Sequence, residues 1–299
     1  SLVLSQLING LQSGSIYALI ALGYTLVYGI IELINFAHGE IYMLGAFTAL
    51  LVAGALGVYG FPAGGILVVA ALAAIVWCAA YGFTLEKVAY KPLRGAPRLS
   101  PLISAIGMSI FLQNYVLLAQ TADFVPFPNL LPEMSFLDYI DNVMGPSDFL
   151  ILLVSTLAML ALTLFIRYTR MGKAMRATAQ NRKMALLLGI NADRIISLTF
   201  IIGSALAALG GVLIASHMGQ VNFGIGFLAG LKAFTAAVLG GIGSIPGAMV
   251  GGLVLGLAES FTTGYFSGNY EDMLAFGILI LILIFRPDGI LGKATVQKV

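Results

Sequence analysis

Apolar residues run through this chain in long blocks rather than in the one-faced or alternating patterns of a soluble domain. The blocks lie at about 8–31, 40–59, 64–84, 99–119, 149–168, 195–215, 225–242, 247–267 and 271–286, and the short stretches between them hold most of the charge. A helix needs about 20 residues to cross a hydrocarbon core roughly 30 Å thick, and most blocks reach that length. They are apolar on every side, whereas the strands of a membrane barrel alternate apolar and polar positions. The pattern predicts an all-α integral membrane protein of nine transmembrane helices. Blocks 225–242 and 271–286 are the shortest, and the first is rich in glycine. Short, Gly-interrupted segments at matching places in two halves point to broken helices that line a pathway. Glycines four apart, as Gly10 with Gly14 and Gly247 with Gly251, are also a means of close helix packing.

The blocks repeat. Residues 18–65 return without a gap, 187 positions later, as 205–252; ALIALGYTL aligns with ALAALGGVL, NFAHG with NFGIG and LGAFTA with LKAFTA. Fifteen of the first 37 aligned positions are identical. Self-similarity at one fixed offset means two copies of one structural unit.

Charge supplies the orientation. Fourteen of the 15 Lys and Arg fall in 87–98, in 167–194 and in the tail from Arg286. The segment 119–149 carries Asp123, Glu133, Asp138, Asp141 and Asp148 without a base, and the turn at Glu271 and Asp272 is also acidic. The positive-inside rule makes the basic places cytoplasmic and the acidic ones external. The amino end is then expected outside and the carboxyl end inside. The span at 8–31 runs inward and its repeat partner at 195–215 outward, so the repeat is expected to be inverted. The predicted organisation is one permease-like domain over 1–299: repeat 1 over about 8–119, a connecting helix at 149–168, a cytoplasmic segment at 169–194 and repeat 2 over about 195–286. Inverted repeats are a recurring plan of transporters, because the pseudo-twofold lets one pathway open to either side in turn.

Composition narrows the chemistry. A mean hydropathy of +1.00 with 60% hydrophobic and 9% charged residues excludes a soluble globular domain. The single cysteine, Cys78, leaves no intrachain disulfide and no cysteine metal cluster. The first residues lack a basic region and merge into the first span, so no cleavable leader is expected. With His38 and His217 as the histidines and no H-E-x-x-H, an intramembrane hydrolase or metal site is not expected. No G-x-x-x-x-G-K-[ST] occurs, so ATP phosphates are not expected to bind here, and energy must come from a partner or an ion gradient.

Three groups of residues stand out. In 167–195, Met171, Met175, Ala179, Met184 and Leu188 recur at roughly helical spacing opposite basic residues, which predicts a short amphipathic helix outside the bilayer. Its apolar stripe either meets a protein partner or lies on anionic lipid. Gly189 reads as a C-terminal cap, and Asn191 or Asp193 as the N-cap of the next span. Inside the spans, Lys232 and Glu259 reach similar depth on adjacent helices and are expected to pair, because each alone costs several kcal/mol there. That pair either faces the pathway or braces the second half. Finally, Asn35, His38 and Glu40 fall where the first span ends and the second begins, at the expected inner boundary. Asn222 is the counterpart of Asn35 at the outer one. These residues either line a gate or satisfy groups left open at helix ends, and Gln113 and Asn114, late in the fourth span, are candidates for lining the route.

Met184 to Asn191, with Ala185 and Gly189 at the Ala-x-x-x-Gly spacing, resembles the coupling-loop signature of ABC importer permeases. Lys183 stands where that signature has Glu. With INFAHGE (34–40), AYKPLR (89–94), SAIGMSIFLQNY (104–115) and AVLGGIGSIPGAMVGG (237–252), the chain resembles, from end to end, the LivH-type permease of bacterial branched-chain amino acid importers. The resemblance implies a bacterial inner-membrane heterodimer with a LivM-like permease, two cytoplasmic ATPases that bind ATP and Mg²⁺, and a periplasmic binding protein. It also implies that Lys183, Met184, Ala185, Leu188, Gly189, Ile190, Asn191, Asp193 and Arg194 contact the ATPases. A permease for urea or short amides, and an ion-driven secondary transporter, are the rival expectations.

Overall fold

The computed structural model describes residues 2–135 and 143–292; Asp138 and Asp141 of the acidic segment and Lys293 of the tail lie outside the described residues. The chain is nearly all helical. In lipid every backbone group must be satisfied internally, and an uninterrupted helix does this within one segment. The long helices are α1 (Leu2–Ile31), α2 (His38–Val58), α3 (Ala63–Leu85), α4 (Leu99–Ala119), α5 (Pro146–Tyr168), α8 (Ala192–Met218) and α10 (Ile245–Tyr265). Two short helices, α6 (Arg170–Gln180) and α7 (Arg182–Leu187), precede α8, while α9 (Ile225–Gly240) and α11 (Glu271–Phe285) flank α10. Most boundaries fall within a few residues of the apolar blocks; α1 starts earlier, at Leu2. Eight described helical segments are long and apolar enough to cross a membrane. The expected ninth, α9, has 16 residues, about 24 Å of helix, and falls short of the hydrocarbon thickness. Strands were not expected, yet Val125–Pro126 (β1) pairs antiparallel with Gln220–Val221 (β2), tying the acidic segment to the end of α8.

The helices stop where local chemistry dictates. Ser244 accepts from the Gly247 amide at 3.2 Å to start α10 ahead of Pro246, and Asp148 accepts from the Gly145 amide at 2.9 Å where α5 begins at Pro146. The α8 helix ends on Gly219 in the left-handed region.

Packing follows the repeat. The α1–α10 pair, antiparallel through Gly10 and Gly14 against Leu257 and Leu253, is matched by α8 against α3, where Gly82 meets Ser204. The repeat-equivalent helices α1 and α8 cross directly. A Cβ on Gly203 would lie 3.2 Å from the Gly23 Cα, and Gly210 lies against Ile20, so the contacts run in opposite chain directions. Around these two central helices sit α2, α9 and α10, and α3, α4, α5 and α11 turn most of their apolar surface outward.

Candidate translocation site and coupling segment

The connection from α1 to α2 does not lie at a boundary. After Ile31 the chain turns at Glu32, whose φ of +55° is rare for a residue with a side chain, and folds back along α1. His38 Nε2 then lies 3.1 Å from the Ile20 carbonyl oxygen, eleven residues or about 16 Å before α1 ends. The start of α9 occupies the equivalent place. Gly226 follows Gly39 by 187 positions, the repeat offset, and a Cβ on either would run into the carbonyl oxygen of the other. Two helix starts in backbone contact cannot lie at opposite faces of a roughly 30 Å layer. The expected placement of Asn35, His38 and Glu40 at one boundary and Asn222 at the other is therefore corrected: both turns re-enter the protein and meet at the pseudo-twofold. Apolar length reports how much helix a block can form, but not the depth at which it begins.

The two asparagines do equivalent work. Asn35 Oδ1 accepts from the Ala37 amide at 3.1 Å and the Tyr90 hydroxyl at 2.9 Å. Asn222 Oδ1 accepts from Gly224 at 2.8 Å, and its Nδ2 donates to the Ala122 carbonyl at 3.2 Å. Glu40 is buried, and its Oε1 accepts from the Ser109 hydroxyl at 3.1 Å. Gln113 lines a cavity of about 280 Å³ beside these turns. Asn114 is separated from it: its side chain bonds back to the Ile110 carbonyl at 2.8 Å on the outward face of α4.

Lys232 and Glu259 are brought together, at 3.4 Å, with two further partners. Lys232 Nζ lies 2.7 Å from Glu271 and 2.9 Å from Asp272, and Tyr17 donates to the other Glu259 oxygen at 2.8 Å. The expected pair is thus a cluster of one cation and three carboxylates from α9, α10 and α11. Glu271 and Asp272 read in the sequence only as a topology mark, since nothing there shows how the preceding turn, Gly268–Tyr270, swings them back over α9.

The segment before α8 also differs from expectation. Instead of one amphipathic helix there are two, divided at Asn181, whose extended backbone lets its side chain accept from the Met184 amide at 3.0 Å. The face that packs is Gly172, Met175 and Thr178; of the expected stripe only Met175 is buried, and Met171, Ala179, Met184 and Leu188 are exposed. Gly189 does cap α7 in the left-handed region, with the Ile190 amide reaching back to the Ala185 carbonyl at 2.9 Å. Asn191, and not Asp193, caps α8, accepting from the Arg194 amide at 3.2 Å. Ala185 is buried beneath this loop, whereas Leu187 and Leu188 are 80% and 74% exposed beside exposed Met184 and Leu186. Lys183, next to Met184 in the chain, is also exposed.

Asp193 is instead held by Arg94, which also pairs with Glu86, a side chain fully buried in the π-helical turn Glu86–Tyr90 that continues α3. Ser197 donates to the second Glu86 oxygen at 2.9 Å, and Arg182 at the start of α7 lies 3.7 Å from Asp193. This network joins the capped segment to the end of α3. Glu86 and Arg94 were not singled out from the sequence, although an acid directly before a basic run at the end of an apolar block was the available signal.

The family described as branched-chain amino acid transport system / permease component matches residues 6–283. The chain belongs to this permease family. It is 55% identical to the high-affinity branched-chain amino acid transport system permease protein BraD of Pseudomonas aeruginosa, over 99% of this chain and 98% of the relative. Identity to LivH of Escherichia coli K12 is 54% over 99% of this chain and 97% of that protein, and to LivH of Salmonella typhimurium 53% over the same shares. No solved structure matches the chain. As a member of this family it is an ABC permease component with a transport role and a multi-pass membrane protein.

Proposed function

We propose that the chain is the membrane subunit of an ATP-driven importer that translocates leucine, isoleucine and valine, delivered by a periplasmic binding protein, by alternating access. A LivM-like permease completes the pathway, and two ATPases dock on the cytoplasmic side of the bacterial inner membrane. The observation that carries this reading is the α7 patch. A six-residue helix, fixed at both ends by Asn181 and Gly189, presents Met184, Leu186, Leu187 and Leu188 to the exterior among basic residues. Exposed apolar patches with a polar rim mark protein contacts. Rigid attachment through Arg182, Asp193, Arg94 and Glu86 lets a push on α7 reach the ends of α3 and α8. In this reading Ala185, Gly189, Ile190 and Asn191 set the shape of the contact, and Lys183, Met184 and Leu188 make it. Asp193 and Arg194 stand behind it at the start of α8. In this reading the basic segments at 87–98 and 167–194 lie inside, so the amino end is outside and the carboxyl end inside.

Mass spectrometry of what co-purifies from gently solubilised membranes tests the assignment. Two P-loop ATPase chains and a second permease are expected. A lone or self-paired chain that transports in vesicles without ATP would make it a secondary transporter and turn α7 into a membrane-surface element.

A further inference from the structure

A second cavity, of about 180 Å³, lies where the end of α1, the turn into α2, the loop before α4 and the start of α7 meet. Leu33, Leu93, Pro101 and Ile196 supply apolar lining, and the charged residues lining it are Glu32, Arg94, Arg98 and Arg182. Arg94 is committed to Glu86 and Asp193, and Arg182 lies 3.7 Å from Asp193. The side chains of Glu32 and Arg98 have neither a hydrogen bond nor an ion pair among the described residues. They line one cavity without pairing with each other. Both are exposed, as is Gly95 beside them, so the cavity opens to the exterior. Among the described residues Glu32 is also the one with a side chain whose φ is positive, at +55°. Glycine holds that conformation at less cost, and backbone strain of this kind concentrates at functional sites.

We propose that this cavity binds a free aliphatic amino acid from the cytoplasm, with Arg98 taking its carboxylate and Glu32 its ammonium, and that the bound molecule restrains transport. The inference rests on the amino acid importer reading and adds a second site, on the product side. One unpaired anion and one unpaired cation match the two ends of a zwitterion, each through a charge-assisted contact. A phosphate or an anionic lipid head would instead face Glu32 with like charge. The size also agrees: an apolar cavity of about 150 Å³ holds benzene, and a short aliphatic side chain fits the apolar lining with its head group towards the opening. The restraint follows from which elements meet there. Glu32 belongs to the turn into α2, Arg98 stands at the start of α4, and Arg182 opens α7 and shares Asp193 with Arg94. A ligand seated among them ties α7 to that turn and opposes movement of one past the other. Internal amino acid then slows its own import.

The test uses the importer purified with its partners in proteoliposomes, with ATP sealed at the cytoplasmic face and leucine as the probe. Initial uptake of labelled leucine is compared between empty vesicles and vesicles preloaded with unlabelled leucine. Preloading is expected to slow wild-type uptake roughly fivefold or more, the usual scale of coupling between two sites, and to slow ATP hydrolysis with it. Preloaded 4-methylpentanoate, which lacks the ammonium, and 3-methylbutylamine, which lacks the carboxylate, should not. Glu32→Gln and Arg98→Met are expected to keep uptake into empty vesicles and to lose the inhibition. If Glu32→Gln does not assemble, Glu32→Gly removes the carboxylate at a backbone position that glycine favours and carries the same expectation. Wild-type uptake indifferent to preloaded leucine overturns the site, as does undiminished inhibition in the assembled variants. Inhibition that follows the phosphatidylglycerol content of the vesicles rather than leucine makes the cavity a lipid site and also overturns the proposal. An assembled wild type that takes up no leucine into empty vesicles overturns the importer reading along with the site; the other contrary outcomes overturn the site alone.

Discussion

Lys232 holds three carboxylates, so its loss and the loss of any one partner are not equivalent. Lys232→Met leaves Glu259 buried with only the Tyr17 hydroxyl, and removing one member of a buried ion pair costs about 3–5 kcal/mol. Glu259→Gln leaves Lys232 paired with Glu271 and Asp272. Thermal unfolding in detergent is expected to show a large loss for Lys232→Met, a small one for Glu259→Gln, and recovery in the double variant. Equal losses in the two single variants would show that the pair, and not the cluster, braces the bundle. The pairing of Lys232 with Glu259 was legible from depth along adjacent spans. The other two carboxylates were not, because their position depends on a turn outside the hydrophobic pattern. Glu86 and Arg94 behave alike: Arg94→Met strands a fully buried carboxylate that Lys87 and Ser197 satisfy only in part, and a destabilisation of about 3 kcal/mol is expected. Chemical denaturation of the purified chain measures it directly.

Among the elements, the α6–α7 segment separates what holds the fold from what faces a partner. Its helical character and its two caps, Gly189 and Asn191, were legible because left-handed turns and side-chain caps have short-range residue preferences. The break at Asn181 was not, because a single asparagine chooses between continuing a helix and capping the next one according to what each packs on. Leu187, 80% exposed, contributes little to the fold. Leu187→Asp is therefore expected to change stability by no more than about 0.5 kcal/mol and to lose the co-purifying ATPases and uptake together. Retention of both would remove α7 from the coupling contact. Ala185 is the opposite case: it is 1% exposed, and Ala185→Leu overpacks its pocket at a cost of about 1–3 kcal/mol.

For the whole molecule, the all-helical membrane class was legible because apolar length survives in the residues themselves. The meeting of α2 and α9 at the pseudo-twofold was not, since hydropathy carries no depth. Close approach of Gly39 and Gly226 makes this the least forgiving point of the structure. Gly226→Val, which drives a side chain into the Gly39 carbonyl and towards Glu40, is expected to prevent accumulation in the membrane, read by immunoblot of membrane fractions. The same substitution at Gly54, where a Cβ would meet nothing within 4 Å, should be tolerated.

Transport through this chain is proposed to be driven by ATP hydrolysed on partner subunits. Leucine uptake into proteoliposomes holding the chain with its co-purifying subunits tests it most directly, with ATP sealed at the cytoplasmic face and binding protein on the other side. Uptake is expected to require ATP, to survive collapse of proton and sodium gradients, and to stop in Leu187→Asp. Uptake that proceeds without ATP and disappears with an ion gradient would contradict it.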